Sequence, residues 1–295
     1  MVARFLAGVS AGVLWALLAG YAARMVPEHR KGRAIAIAMV GIPLALSIGI
    51  PAGTLLGTMV GWRLCFAIMS VLALLLMIWV RFKIPDFANQ ANGVRLSLKH
   101  VITIPGVRPI LFVVLTFVLA HHLLYTYIAP FLANVGMQER TDLVLLIFGA
   151  TSLLGIWAIG AMIDRHLRLL TLASTCLFAL AALLLHMAGD DARMIYGAVA
   201  IWGLAFGGAP TLFQTALATA AGEAADVAQS MLVTGWNMAI AGGGLIGGLL
   251  LTQAGAGMFA PAVLALLLAS LVMIWFARKH GFPNPARQGS RNRAL

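Results

Sequence analysis

Nine carboxylates make up all the acidic chemistry of this 295-residue chain, and their positions limit what it can do. Glu28, Asp86, Glu139, Asp142, Asp164, Asp190, Asp191, Glu223 and Asp226 each lie in or beside a short polar stretch, and none falls inside an apolar run. A protein that carries protons through apolar surroundings needs a titratable group there. His121 and His122 meet that need, adjacent in the middle of an apolar run, with the side chain that titrates nearest neutral pH. Successive helical residues point ~100° apart, so at most one of the two easily faces a central cavity. His121 shares a face with Tyr125, and His122 with Thr126, each at i+4. The competing reading is a histidine hydrogen-bonded to a neighbouring helix for packing. Cys65 and Cys176 are isolated, with neither metal-ligand spacing nor a disulfide framework. The chain has no phosphate-cradling glycine loop, no HExxH and no GxSxG. With no nucleophile–base pair or metal cluster at any membrane depth, an enzyme is the weakest class, and no cofactor or metal is expected.

The elements that position these groups are helical spans. Hydrophobic residues make up 62% and charged residues 10%, with mean hydropathy +0.98; no soluble domain of this length hides so much apolar surface. The chain therefore reads as an all-α, polytopic membrane bundle. Apolar runs of bilayer-crossing length predict nine spans at 2–23, 34–60, 63–82, 108–134, 142–163, 169–188, 194–218, 228–253 and 258–277. The net charge of +11 does not point to nucleic acid, because the basic residues sit in short loops between spans. Sixteen Lys and Arg fall on one side and Arg63, Arg140 and Arg193 on the other, with Arg4 inside the first span. The basic side, with the C-terminus, is thus predicted to face the cytoplasm. The polar connector 83–107 separates a three-span part, 1–82, from a six-span bundle, 108–278, followed by a basic cytoplasmic tail, 279–295.

Glycine spacing marks contact surfaces. Gly49, Gly53 and Gly57 fall at i, i+4, i+8 and predict a smooth seam for a closely approaching helix; Pro43 and Pro51 predict a bend in the same span. Adding 195 maps Gly8, Gly12, Gly49 and Gly53 onto Gly203, Gly207, Gly244 and Gly248, which suggests two similar halves. If they match, the first is three spans short. Asp164 ends a helix, where its charge is unfavourable unless a cation pairs with it; with Arg165 and Arg168 it forms a candidate latch. Arg4 alone reads as a snorkelling residue. Thr211, Gln214, Trp202 and Phe206 on the seventh span, interrupted by Pro210, and Trp236 and Asn237 on the eighth are polar or aromatic groups of the kind an apolar ligand pocket uses. Each is also an ordinary packing group.

Three stretches resemble the major facilitator superfamily, in its sugar- and drug-efflux branch of twelve-span proton antiporters. Gly49-Ile50-Pro51-Ala52-Gly53-Thr54 with Gly57 and Gly61-Trp62-Arg63 is similar to the antiporter motif of span five. His121-His122 with Tyr125-Thr126-Tyr127 and Pro130-Phe131-Leu132 is similar to span seven. Gly160-Ala161-Met162-Ile163-Asp164-Arg165 with Arg168 resembles the acidic-basic loop motif between spans eight and nine. Leu167 departs from it, standing where the family has glycine. The likeness implies spans four to twelve, with the first three absent. It further implies a substrate cavity lined by Arg4, Trp15, His121, Tyr125, Trp202, Phe206, Gln214 and Asn237, with His121 or His122 coupling protons. Gly49, Pro51, Gly53, Gly57, Gly160, Asp164, Arg165 and Arg168 would be the conformational motifs. The implied partners are the lipid bilayer of a bacterial inner membrane, a small solute (sugar, nucleoside or drug) and protons, in a carrier that is monomeric when complete. The alternative is a transport-incompetent fragment that assists a full-length carrier. On either view the 295 residues alone are expected not to transport.

Overall fold

A computed structural model describes residues 2–83 and 97–282. The side chains of Arg4 and Pro51, residues 84–96 of the expected connector and most of the expected tail lie outside the described residues. Among the described residues every regular element is helical. The helices are α1 (Val2–Arg24), α2 (Lys31–Met39), α3 (Gly41–Leu44), α4 (Ile50–Val60), α5 (Trp62–Lys83), α6 (Leu98–Thr103), α7 (Val107–Thr126), α8 (Ile128–Asn134), α9 (Thr141–Met187), α10 (Ala192–Gly207), α11 (Ala209–Ala221), α12 (Ala225–Ala254) and α13 (Phe259–Phe276).

These elements follow the predicted runs, with interruptions where the sequence cannot continue a regular ladder. Pro43 and Pro51 have no amide proton to donate, and the second run is accordingly broken into α2, α3, a π-helical turn Ala45–Gly49 and α4. Among the described residues, five stretches are long and apolar enough to cross a membrane, and two of them, Gln138–Met187 and Ala192–Ala254, have room for two crossings each. Helix α9 departs from helical geometry at His166. Gly155 lies against the carbonyl of Leu204, while Ser174 donates to the carbonyl of the next residue, Ala205. Nineteen residues of straight helix would span ~28 Å, so the two arms of α9 must fold back on each other at His166. Likewise Gly222, at φ +55°, ends α11, and Gln229 Nε2 then donates to the Gln214 carbonyl at 2.9 Å. The chain reverses there as well.

Helices α7 to α13 surround one core that includes Phe117, Phe178, Trp202, Phe213 and Phe259. A second, smaller core of Ala19, Ala23, Ile35, Met39 and Ile156 joins α1 and α2 to α9. Helix α5 buries no residue. The second arm of α9 and α13 each bury one side, with Phe178 and Leu185 on one and Val263 and Leu267 on the other.

The expected glycine seam has no neighbour from another helix among the described residues. A Cβ at Gly53 or Gly57 would meet no described atom within 4 Å, and at Gly49 only Ala45 of the same segment. Close backbone approach occurs instead between α9 and α10. There a Cβ on Gly207 would strike the Ser152 carbonyl, and one on Gly203 the Phe148 carbonyl. Ser152 Oγ completes this contact by donating to the Gly203 carbonyl at 3.1 Å. The repeat pointed to Gly203 and Gly207, but a helix face is smooth before anything packs on it, so spacing alone could not rank the two seams.

Candidate functional site

Helix α2 begins without a cap of its own. Its N-cap residue is Arg30, which makes no side-chain capping bond, so its first amides need acceptors from elsewhere. Asp164 supplies one: its Oδ1 accepts from the Gly32 amide at 2.8 Å. This also resolves the misplaced charge at the end of the first arm of α9. The carboxylate rests on the positive end of another helix. Close packing fixes the geometry, since a Cβ on Gly160 would lie 2.9 Å from that of Ala36. Arg165 is exposed at the turn. Arg168 turns to α13, where Nη1 donates to the carbonyls of Ile274 at 3.1 Å and Phe282 at 3.4 Å. Burial and the neighbouring Arg278 lower its pKa from the usual guanidinium value. The three motif charges therefore do different work: Asp164 bridges to α2, while Arg168 ties α9 to the end of α13.

A second bridge lies beside the first. Arg24, ending α1, pairs with Asp226 in the first turn of α12. Both side chains are about half exposed (53% and 54%), and exposed pairs contribute ~0–1 kcal/mol. A charged acceptor on a helix N-terminal amide contributes ~0.5–2 kcal/mol, so Asp164 is the stronger of the two bridges. Together with the small core around Met39, both close the basic ends of α1 and α2 against α9 and α12. Farther along, α1 and α12 part to leave a groove of about 890 Å³, lined by Gly8, Val9, Gly12, Val13, Ser230, Val233, Thr234, Asn237, Met238 and Ala241.

The expected cavity residues divide between two places. His121 (2% exposed) sits in an aromatic cluster, its ring stacked on Phe206 with centroids 3.4 Å apart and 9° between planes. Tyr125 and Trp202 each lie 5.3 Å from it and Phe148 5.6 Å. Its Nδ1 and the indole Nε1 of Trp202 are buried without a hydrogen-bond partner. His122 diverges from it as neighbours on a helix do, packing toward α12, where its Cβ fills the space a Cβ on Gly243 would need. Gln214 is also buried, and its Nε2 lies 3.5 Å from Met39 Sδ. Asn237 lines the groove instead, donating to the Val233 carbonyl at 2.8 Å. The adjacent Trp236 reaches the aromatic cluster, 6.4 Å from Phe206. Trp15 is exposed on α1, and of Arg4 only its place in α1 is described. Sequence reasoning missed Gly32, Arg24, Asp226 and Met39 as parts of the site. The one legible signal was a lone glycine in the first turn of α2, between Lys31 and Arg33.

Comparison with known proteins follows this geometry. The sequence profile of the Major Facilitator Superfamily matches residues 1–231. The chain is 26% identical over 282 residues to the "Probable sugar efflux transporter" of Mannheimia succiniciproducens, covering 94% of this chain and 70% of that protein. It is 30% identical to the "Transcription regulatory protein OpdE" of Pseudomonas aeruginosa, covering 93% and 70%. It is 28% identical over 258 residues to the "Purine ribonucleoside efflux pump NepI" of Escherichia coli, covering 86% and 65%. The chain thus spans about two thirds of the length of these relatives.

Proposed function

The chain belongs to the Major Facilitator Superfamily, and from that premise we propose that it is a secondary active carrier exporting a small solute by alternating access. Its family is one of multi-pass membrane transporters rather than enzymes. The observation that carries the proposal is the Asp164–Gly32 bridge. It joins two groups of helices at their basic end, with a groove between α1 and α12 farther along. A contact that caps a helix in one arrangement and releases it in another is what a two-state gate requires. By the distribution of Lys and Arg we assign the bridged end to the cytoplasm of a bacterial inner membrane, so the structure corresponds to the inward-closed state of a carrier monomeric when complete.

His121 is the coupling group in this reading. No carboxylate lies within the spans, and His121 Nδ1 is buried with a hydrogen bond still to make. Sugars and purine ribonucleosides, named in the relatives, are the first solutes to try. The test is accumulation in inverted vesicles under an imposed pH gradient, in a carrier completed to twelve spans. Asp164→Ala should slow gradient-driven accumulation about fivefold with the protein still inserted, and His121→Gln should leave solute exchange but remove its dependence on the gradient. Accumulation by Asp164→Ala at the normal rate would overturn the gate. A second reading, an assembly partner for a full-length carrier, is favoured by the exposed faces of α4 and α5. It predicts transport only on co-expression with that carrier.

A further inference from the structure

Among the described residues, the buried hydroxyls are bonded with two exceptions on one helix. Thr171 and Thr175 donate to carbonyls one turn back, Ser152 and Ser174 to carbonyls of α10, and Thr116 pairs with Ser270. Thr211 and Thr215, successive turns of α11 and 0% and 8% exposed, have no partner for Oγ1. Between them in sequence stands Gln214, 5% exposed, whose Oε1 is also unpartnered. Its Nε2 has only the thioether of Met39 at 3.5 Å, a weak acceptor. Each buried polar atom without a partner forfeits the hydrogen bond it had in water, so a set of three on one helix marks a place where a partner arrives in another state.

Met39 belongs to α2, the helix that the Asp164 bridge holds in place. When that bridge opens, the thioether withdraws and the Gln214 amide is freed. We infer that Thr211, Gln214 and Thr215 form a hydrogen-bonding subsite for a neutral solute bearing hydroxyl or amide groups, lidded by Met39 and uncovered from the basic end. The inference rests on the alternating-access reading above. The three side chains offer both donors and acceptors but no charge, and no carboxylate lies within the spans to meet a cation. An organic cation would be buried unpaired there, at a penalty of several kcal/mol. A polyol or nucleoside-like molecule exchanges its water bonds for these three groups.

The test uses the full chain in nanodiscs with Cys65 and Cys176 replaced by serine, and a membrane-impermeant maleimide. Two single cysteines report separately: Ala36→Cys on the gate itself and Thr215→Cys on the subsite. Both should be unreactive in the closed chain. Adding Asp164→Ala should speed labelling of both by about fivefold, the change expected when one capping interaction of ~1 kcal/mol is lost. Inosine should then slow labelling at a third reporter, Ala218→Cys, half-buried one turn beyond Gln214 and leaving all three subsite groups in place, while tetraphenylphosphonium should not. Labelling of Ala36→Cys without Thr215→Cys would leave the gate standing and overturn the subsite. Protection by the cation, or none by inosine, would overturn the solute class. If neither cysteine responds to Asp164→Ala, the gate itself falls and the subsite with it.

Discussion

Gly32→Ala puts the smallest possible perturbation at the strongest bridge. Its Cβ would stand 2.6 Å from Asp164 Oδ1 and 2.7 Å from Ile163 Cγ2. The carboxylate can rotate away, but only by surrendering the bond to the Gly32 amide, a loss of ~1 kcal/mol. Ile163 is 1% exposed and has little room to move, so overpacking adds ~1 kcal/mol at the low end of its range. Alanine is the better helix former by ~1 kcal/mol, yet that gain is present whether the bridge is open or closed and cancels from the gate equilibrium. The net shift toward the open state is ~2 kcal/mol, about 30-fold. Labelling of Ala36→Cys measures it, because Ala36 is buried against Gly160 in the bridged arrangement and should be uncovered when the bridge opens. Asp164→Ala, which removes the cap without the clash, should give about fivefold. Thermal melting of the detergent-purified protein supplies the control, since the helix-propensity gain should keep Gly32→Ala folded. Closed-state labelling rates in Gly32→Ala, with the fold intact, would show that the Asp164 contact does not govern the gate.

Four further outcomes follow from the packing and the charge distribution. Gly207→Ala drives a Cβ into the Ser152 backbone, which cannot rotate aside, and should lower stability by ~2–3 kcal/mol in thermal melts. Gly53→Ala meets open space and should be neutral or stabilising by up to ~1 kcal/mol in the same assay; a loss as large as that of Gly207→Ala would place a closely packed helix on α4 after all. Arg24→Gln breaks an exposed pair and should shift the gate by less than ~1 kcal/mol, an effect that disappears in high salt. A reporter fused after Lys99 should read cytoplasmic and one between Gly136 and Arg140 external; the opposite result at both sites would reverse the assigned orientation.

Local chemistry was enough to settle several features of this protein. Apolar run length located the helices, because lipid requires every backbone amide to be bonded within its own segment, and Pro43 and Pro51 marked the broken one for the same reason. The exclusion of buried carboxylates, which leaves His121 as the titratable candidate, is likewise a property of position along the chain. The likeness of Gly160 to Arg165 to a loop motif singled out Asp164, but not the helix that it caps. The actual partner is a backbone amide 132 residues away in sequence, and a backbone amide leaves no signature in a sequence beyond the absence of a side chain at Gly32. The same holds for the two glycine seams. Gly53 and Gly207 both present smooth helix faces, and only the docking of α9 onto α10 made one of them a contact. Burial separated Gln214 from Asn237, two polar residues expected in a single cavity, because α11 turns its face into the bundle while the middle of α12 faces the groove. Spacing along a chain determines which residues share a helix face; the face that meets a neighbour depends on how distant helices pack, and that was decided by the tertiary structure alone.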